Sequence, residues 1–311
     1  MKTFKTLSII VVALLVTVFS CKKEEETIIP YNCTLEVNSS QITQNTESFT
    51  NNPVSPITGK DGTEISFTTN SFSGTPSRID VVDSQDNKDM LLMGYPTVDN
   101  NGDLLISAGV CFISAYDDNG DLLSINPSAP PTVNIPNTTY SSDMNVYSAS
   151  VNANGEFVWV DQGQPPVTPT PSPNSEYQNV PVPSSSVNNL SGGVNMDIPG
   201  PPCTTSTLTI TLPNGRNGGN SSVYIYFTNQ NSVVTAYDGN EDGKFEISDI
   251  FCSGNTVQFV LISQIEGIKK WYVSDPADVS DNSWTKTISS NDLEPALCAE
   301  ALRLLIKEEL E

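Results

Sequence analysis

A run of oxygen-bearing side chains near residue 240 is the best-defined chemical pattern in the sequence. It follows the spacing of a calcium-binding loop, with glycine at the sixth position, and its ligands would be Asp238, Asn240, Asp242, Lys244 (through its carbonyl), Glu246 and Asp249. Calcium is a hard cation that needs six or more oxygens, and Gly243 would let the chain reverse. A calcium site and an acidic hairpin turn both fit, because strands rather than helices are predicted on both sides.

Histidine does not occur in the sequence. Its absence excludes Ser-His-Asp and Cys-His nucleophile systems, in which the imidazole is the base, and it removes the usual ligand of catalytic zinc. Two carboxylates alone can hydrolyse a glycoside, but Asp and Glu total 36, so no pair stands out. We therefore expect a protein that is not an enzyme, and a carboxylate-dependent hydrolase of polysaccharide is the alternative.

The cysteines predict disulfides in an exported protein. Besides Cys21, the sequence contains five: Cys33, Cys111, Cys203, Cys252 and Cys298. Because their number is odd, at least one is unpaired or bonded to another chain. Cys33 with Cys111 would link parts of the first half, and Cys252 with Cys203 or Cys298 would do so in the second. Buried free thiols are the alternative.

Aromatic side chains on strand faces are candidates for a carbohydrate platform. The candidates are Trp159, Trp271, Trp284, Tyr224 and Tyr226. The competing interpretation is that they belong to the hydrophobic cores, since one or two Trp in a sandwich core is ordinary.

The N-terminus is typical of a targeting segment. Lys2 and Lys5 precede the apolar stretch 7–19, which is too short to span a bilayer comfortably, and Ser20 directly precedes Cys21. This arrangement resembles the bacterial lipobox, whose cysteine is acylated and becomes the mature N-terminus, although Val18 stands where leucine is usual. The resemblance implies that the lipid bilayer is a partner through acylated Cys21. A plain secretory signal or an uncleaved anchor is the alternative.

Charge bears on location and partners. The Lys-Lys-Glu-Glu-Glu run at 22–26 resembles the charged segment of surface-exported lipoproteins in Bacteroidetes-type bacteria, which implies an outer-membrane protein that faces the cell exterior. The net charge of −22 argues against nucleic acid as a partner, because phosphate binding needs a basic surface. It also argues against adsorption to an anionic lipid face.

The elements predicted to position these residues are almost all strands. Asn- and Asp-rich turns ending in glycine separate short alternating runs, which is typical of hairpins. The predicted strands are 34–37, 64–67, 78–82, 90–93, 103–116, 121–125, 132–135, 144–151, 156–160, 208–212, 223–228, 233–237, 244–247, 257–263, 270–274 and 284–288. Gly109 within the longest run predicts a bulge or bend.

We therefore predict an all-β chain with two β-sandwich domains joined by a Pro-rich linker and a short C-terminal helix. The expected boundaries are a signal peptide at 1–20, a charged tether at 21–32, a sandwich at 33–161, a linker at 162–200, a Greek-key sandwich at 201–289 and an amphipathic helix at 290–311. Pro295 would lie in the first turn of that helix. Leu297, Ala301, Leu304 and Leu305 would form its apolar face, which either packs on the second domain or contacts a partner.

Two stretches resemble known families. "LLMGYPTVDNNGDLLISAGVCFISAYDDNGDLLSI" and "MNVYSASVNANGEFVWV" resemble the N-terminal domain of a group of Bacteroidetes lipoproteins, a resemblance that implies no activity. "VVTAYDGNEDGKFEISDIFCSGNTVQFVLIS" is similar to carboxypeptidase-regulatory-like (transthyretin-like) modules, but has Cys252-Ser253-Gly254 where those have Pro-x-Gly. This second resemblance implies a seven-stranded Greek-key sandwich. It also implies a binding or scaffolding role. Together with the lipid anchor and the charged tether, two sandwich modules without a catalytic signature predict a surface protein whose partner is a glycan, a matrix component or an outer-membrane protein.

Overall fold

The computed structural model describes residues 46–136, 143–153, 156–163, 176–187, 189–200, 207–248, 251, 254–266, 268–279, 284–296, 305–306 and 308–310. The predicted signal peptide and tether lie outside these residues, as do Cys21 and the predicted strand 34–37. Below, the first half means described residues 46–200, and the second half means those from 207 onward.

The first half contains eleven strands. They are β1 Thr46–Thr50, β2 Ile57–Thr58, β3 Glu64–Ser66, β4 Arg78–Ser84, β5 Leu105–Tyr116, β6 Leu122–Leu123, β7 Thr132–Pro136, β8 Asn145–Val151, β9 Phe157–Asp161, β10 Glu176–Pro181 and β11 Gly192–Pro199. Sheet I has the order β1-β4-β5-β11-β8-β9, with β6 paired to β5, and sheet II has the order β10-β7-β3-β2.

Sheets I and II enclose the first hydrophobic core. Strand alternation places Ile79 and Val81 of β4 opposite Val133 and Ile135 of β7, and all four are buried. The register of β11 against β5 shifts between Met196 and Asp197, beside Gly109 with a φ of 153°. The predicted bulge at Gly109 is therefore confirmed.

The second half contains nine strands rather than the seven that the family resemblance implies. They are β12 Leu208–Thr211, β13 Ser221–Phe227, β14 Ser232–Ala236, β15 Lys244–Ile247, β16 Thr256–Ile265, β17 Ile268–Val273, β18 Ala277–Asp278, β19 Trp284–Thr287 and β20 Glu294–Ala296. Sheet III has the order β15-β12-β19, and sheet IV has the order β14-β13-β16-β17-β20, with β18 paired to β16. A second core lies between them and includes Ile210, Ile225 and Phe259.

One short helix, α1 Asn87–Met93, lies between the halves, where the sequence predicted a strand at 90–93. The Asp86 side chain caps its first turn by accepting a hydrogen bond from the Lys88 backbone, and Gly94 ends it in the left-handed conformation with a φ of 75°. Met90 packs on the outer face of sheet I, whereas Leu91 and Leu92 pack on the outer face of sheet IV. The capping residues, rather than the apolar run between them, determine this element.

The predicted linker at 162–200 is wrong in its second part, which contains β10 and β11. β11 is an interior strand of sheet I, between β5 and β8. Glycine is required there, because a Cβ on Gly193 would lie 2.8 Å from the Phe112 ring and 2.9 Å from Ala149 Cβ. The Gly-rich, Pro-flanked sequence reflects close packing of neighbouring strands.

The predicted C-terminal helix is wrong at its start. Pro295 lies in β20, paired with Lys270, and not in a first helical turn. The described residues near the end of the chain, Leu305, Ile306, Glu308 and Glu309, are helical. Leu297, Ala301 and Leu304 lie outside the described residues.

The buried side chains of this terminal segment differ from the predicted ones. Ile306 and Leu310 pack on sheet IV, whereas Leu305 is exposed. The Lys88 ammonium donates to the Leu310 carbonyl at 2.6 Å. The Gln258 side chain of β16 donates to the Glu309 carbonyl at 3.1 Å, so the described part of the segment packs on the second half, as predicted, and also contacts α1 of the first half.

The two halves share hydrogen bonds as well as apolar contacts. The Asn231 side chain donates to the Ser107 carbonyl at 2.6 Å and to the Gln85 carbonyl at 3.2 Å, and accepts from the Asn87 backbone at 2.9 Å. Thr97 and Val233 bond reciprocally across the same boundary. By their contacts, all the described residues belong to one unit. The all-β, sandwich-like fold class is confirmed.

Candidate functional site

The candidate site is a cavity of ≈ 480 Å³ between the C-terminal end of α1 and the outer face of sheet IV. This volume lies within the range of small-molecule sites, about 300–1,000 Å³. Residues 91–94 form the wall on the helix side. Because Gly94 turns the chain away from α1, the last helical residues border open space rather than a further turn of helix.

Two rows of side chains from sheet IV form the floor. In the register of β13, β16 and β17, Ser222 lies opposite Ile262 and Ile262 lies opposite Trp271. In the next row Gln264 lies opposite Lys269. Since directly opposite residues project from the same face, Gln264 and Lys269 extend the floor beyond the part of the face that α1 covers.

The Tyr224 hydroxyl lies against the end of α1. A Cβ placed on Gly94 would lie 3.7 Å from that hydroxyl oxygen. Burial raises the pKa of Tyr224, and a hydrogen bond with the Ser222 side chain opposes the rise. The hydroxyl is therefore protonated at neutral pH and offers a donor and an acceptor inside the cavity.

Three longer polar side chains stand at the open side of the cavity. Gln264 and Glu266 are exposed, whereas Lys269 is half-buried. Burial lowers the pKa of the Lys269 ammonium. Glu266 adopts a φ of 51° in the tight connection between β16 and β17. Leu92 and Ile262 form the apolar part of the cavity lining. Gln264, Glu266 and Lys269 form its polar rim.

The loop 217–220 forms the third side of the cavity, and hydrogen bonds fix its conformation. The Asn220 side chain donates to the Gly215 carbonyl at 2.8 Å and accepts from the Asn217 backbone at 3.1 Å. The Gly218 backbone donates to the Asp238 carboxylate at 3.1 Å. The turn that contains Asp238 therefore helps to position the loop 217–220, which forms one wall of the cavity.

The predicted calcium ligands form a hydrogen-bonded turn. Asp238 Oδ1 accepts from the Asp242 backbone at 3.1 Å, and its Oδ2 accepts from Gly243 at 2.9 Å as well as from Gly218. Asp242 accepts from the Lys244 backbone at 3.0 Å, and the Lys244 ammonium lies 3.8 Å from it. These carboxylates face N–H donors, an arrangement that suits the acidic hairpin turn better than a cation site.

The remaining predicted ligands are only partly described, so the calcium site stays a prediction. Asn240 is exposed, Glu246 lies in β15 and accepts from the Thr209 hydroxyl at 3.4 Å, and Asp249 lies outside the described residues. Within the described part of the chain, no group of three or more His, Cys, Asp or Glu side chains is arranged to hold a metal ion.

Cys111 is a free thiol in β5, fully buried between sheets I and II. Burial, and secondarily the nearby Asp83 carboxylate, raise its pKa well above the ordinary value, so the thiol is protonated and unreactive. The predicted Cys33–Cys111 disulfide is therefore wrong for Cys111. Cys33, Cys203, Cys252 and Cys298 lie outside the described residues.

The aromatic candidates are mostly core residues. Trp159 stacks on Phe112 and donates its indole N–H to the Pro96 carbonyl at 3.0 Å, while Trp284 packs on Phe259. Trp271 and Tyr226 are also buried. Of the five candidates, Tyr224 alone lines the cavity. No exposed aromatic platform is formed, because the other four rings are covered. Trp284 packs on the second core, Trp159 packs beside Met90 on the outer face of sheet I, and Trp271 and Tyr226 lie beneath α1 and the terminal segment on the outer face of sheet IV.

A second cavity, of ≈ 280 Å³, lies at one end of the first core. Its wall is rich in proline and includes Ile125, Val146 and Val182, with Gln162 and Ser184 as its polar members. The Gln162 amide already donates to the Ser148 hydroxyl at 2.7 Å. This cavity therefore has fewer free polar groups for a ligand than the cavity beside α1.

Asp197 is a functional candidate that the sequence reasoning missed. It is fully buried on the face of β11 opposite Val194 and Met196, accepts a hydrogen bond from the Asn195 amide, and its Oδ1 has no partner among the described residues. Burial raises its pKa to about 8, and hydrogen bonds from Ser107 and Asn195 oppose the rise. Local alternation places Asp197 on the face opposite Val194 and Met196, where an exposed side chain is expected, so its burial follows from tertiary packing and not from a signal in the sequence.

No protein-family model matches the chain, and no curated protein matches it either, so both family resemblances stay predictions. Within the described ranges, no helix combines the length and apolar character needed to cross a membrane.

Proposed function

We propose that this chain is a lipid-anchored protein of the outer membrane, displayed on the cell surface, with a non-catalytic binding or scaffolding role. The anchor is acylated Cys21, which is supported by the basic start, the apolar stretch 7–19 and Ser20. Each buried CH₂ of an acyl chain contributes about 0.8 kcal/mol, so several chains make the attachment effectively permanent. The acidic run at 22–26 supports display on the outer face.

The cavity beside α1 is the observation that carries the binding role. An apolar wall from Leu92 and Ile262 faces a polar rim that includes Tyr224, Gln264 and Lys269. Small-ligand sites are typically apolar pockets with a few convergent polar groups. This lining favours a small amphipathic ligand such as part of a glycan. A matrix component or an outer-membrane protein is the other kind of partner.

A carboxylate-dependent hydrolase of polysaccharide has less support. It needs two carboxylates in one cleft, about 5–10 Å apart. Glu266 is the one acidic residue that lines either cavity described above. Asp197 has the raised pKa of a general acid but lines neither cavity.

Two experiments test this function. Cells that express the chain should incorporate labelled palmitate into it, and Cys21→Ser should abolish the label and release the protein from the membrane fraction. The soluble chain from Lys22 onward should bind a subset of glycans on an array. Unchanged labelling after Cys21→Ser would contradict the anchor. An array without signal, combined with release of reducing sugar from polysaccharide, would favour the hydrolase.

A further inference from the structure

The class of ligand is inferred from Lys269, a cationic residue that lines the cavity and has no ion-pair partner among the described residues. Lys269 is half-buried, and burial is the one cause acting on its lowered pKa. Among the residues that the structure describes, the ion pairs are Arg78–Asp80 and Lys244–Asp242, so Lys269 belongs to none. A partly desolvated ammonium without a carboxylate is unfavourable, and an anionic ligand would remove that cost.

Glu266 does not fill this role. It is exposed in the connection between β16 and β17, where its carboxylate can be solvated without a protein partner. It also has no part in the shifted pKa of Lys269. Among the groups that line the cavity, the Lys269 ammonium would therefore be stabilised most by a charged ligand. The ligand must carry a negative charge.

The groups around Lys269 suit a ligand that also carries hydroxyls. Gln264 lies directly opposite Lys269 in the strand register, so its amide offers a donor and an acceptor beside the ammonium. The Tyr224 hydroxyl, bonded with Ser222, offers both as well, next to the end of α1. Leu92 and Ile262 provide an apolar surface that suits the C–H face of a sugar ring.

One ammonium matches a singly charged carboxylate better than a phosphate, which recruits several cationic or N–H donors. The nearby backbone donors are already used, since Gly218 donates to Asp238 and Gly219 donates to the Asn217 side chain at 3.1 Å.

We propose that the cavity beside α1 binds a small acidic saccharide, a uronic acid, with its carboxylate on Lys269 and its ring hydroxyls on Gln264 and the Tyr224–Ser222 pair. This inference rests on the proposed binding function and narrows it to one ligand class. Binding leaves the sugar chemically unchanged.

Titration calorimetry of the whole chain in detergent, with D-galacturonate and D-galactose as probes, tests the proposal. The two sugars differ only at C6, where the first has a carboxylate and the second a hydroxymethyl group. We expect galacturonate to bind about tenfold more tightly or better. Because the interaction is partly exposed, this preference should shrink in about 0.5 M sodium chloride.

Variants of β17 provide the controls. Lys269→Met should reduce the preference to about unity, and Lys269→Arg should retain most of it, since the positive charge remains. Lys270→Met is the matched control, because strand alternation places Lys270 on the opposite face, and the preference should not change. Circular dichroism checks that each variant is folded.

Failure of the inference can be distinguished from failure of the proposed function. Equal affinities for the two sugars, unchanged by Lys269→Met, would overturn the acidic ligand while leaving a glycan-binding role in place. If neither sugar binds at millimolar concentration, the inference is wrong. If the glycan array also shows no signal, glycan binding itself is wrong.

Discussion

Individual carboxylates in this chain have different roles because their surroundings differ. Asp117 is exposed, and backbone N–H groups led by that of Asp121 lower its pKa. Asp238 bonds three backbone N–H groups and links the acidic turn to the wall of the cavity. Asp197 is buried with one unpartnered oxygen, and burial raises its pKa to about 8.

The buried Asp197 predicts a loss of stability with rising pH. Its pKa in the folded protein, about 8, exceeds the ordinary 3.8, so the folded state binds this proton more tightly. Its contribution to stability is complete below about pH 4 and is lost as the pH rises through 8, by at most about 1.4 kcal/mol per pH unit. Urea unfolding of Asp197→Asn should lack this part of the pH dependence and show higher stability at pH 8.

Asp118→Asn is the control for this prediction, because Asp118 is an exposed turn residue. It should retain the pH dependence of the unchanged chain. Parallel stability curves for Asp197→Asn and the unchanged chain between pH 4 and 8 would contradict the role of Asp197.

Removing the Asp238 carboxylate distinguishes a turn from a calcium site. Asp238→Ala should lower the free energy of unfolding by about 1–3 kcal/mol, because it leaves three backbone N–H groups without their acceptor. Unfolding is measured with and without millimolar calcium, and we expect the same loss in both. Calcium-dependent stabilisation that disappears in Asp238→Ala would instead establish an ion site.

At the scale of elements, the apolar pattern alone does not distinguish a helix, a strand and a linker. The glycine and helix-capping residues do. Asp86 and Gly94 make 87–93 a helix, although its apolar residues also suit a strand. Gly192 and Gly193 let β11 pass close to its neighbours as an interior strand, within a stretch whose composition predicts a linker.

A methyl group at Gly193 should be poorly tolerated. Its Cβ would lie 2.8 Å from the Phe112 ring, so Gly193→Ala should destabilise the protein by about 1–3 kcal/mol through overpacking. Gly239→Ala is the matched control, because a Cβ there would meet nothing within 4 Å. Equal midpoints of urea unfolding for the two variants would contradict the placement of β11.

At the scale of the molecule, the two halves are joined by a boundary with buried polar contacts. Asn231 and Asn87 provide hydrogen bonds across it, and α1 packs its two sides on different sheets. The cavity beside α1 is made by this arrangement, since its wall comes from the first half and its floor from the second. A ligand in the cavity would therefore contact both halves.

Because of this boundary we expect the two halves to unfold together. Differential scanning calorimetry should show one transition with equal calorimetric and van't Hoff enthalpies. Asn231→Ala, which removes bonds to Ser107 and Gln85, should lower the melting temperature or divide the transition. Asn229→Ala is the control, since that exposed side chain bonds Gly254 within the second half. Two transitions in the unchanged chain would instead indicate independent domains.

The sequence by itself determined the all-β class, most of the strands and the bulge at Gly109. These follow from local alternation and from turn residues with special backbone needs, and neither depends on distant contacts. The tertiary structure decided the rest. It covered most of the candidate aromatic rings, used Asp238 for a turn, placed β11 inside sheet I and brought Leu92 and Lys269 to the lining of one cavity. These outcomes depend on which faces of distant strands and helices pack against each other. The periodicity of apolar residues does not specify that packing, because it is a local property of each element.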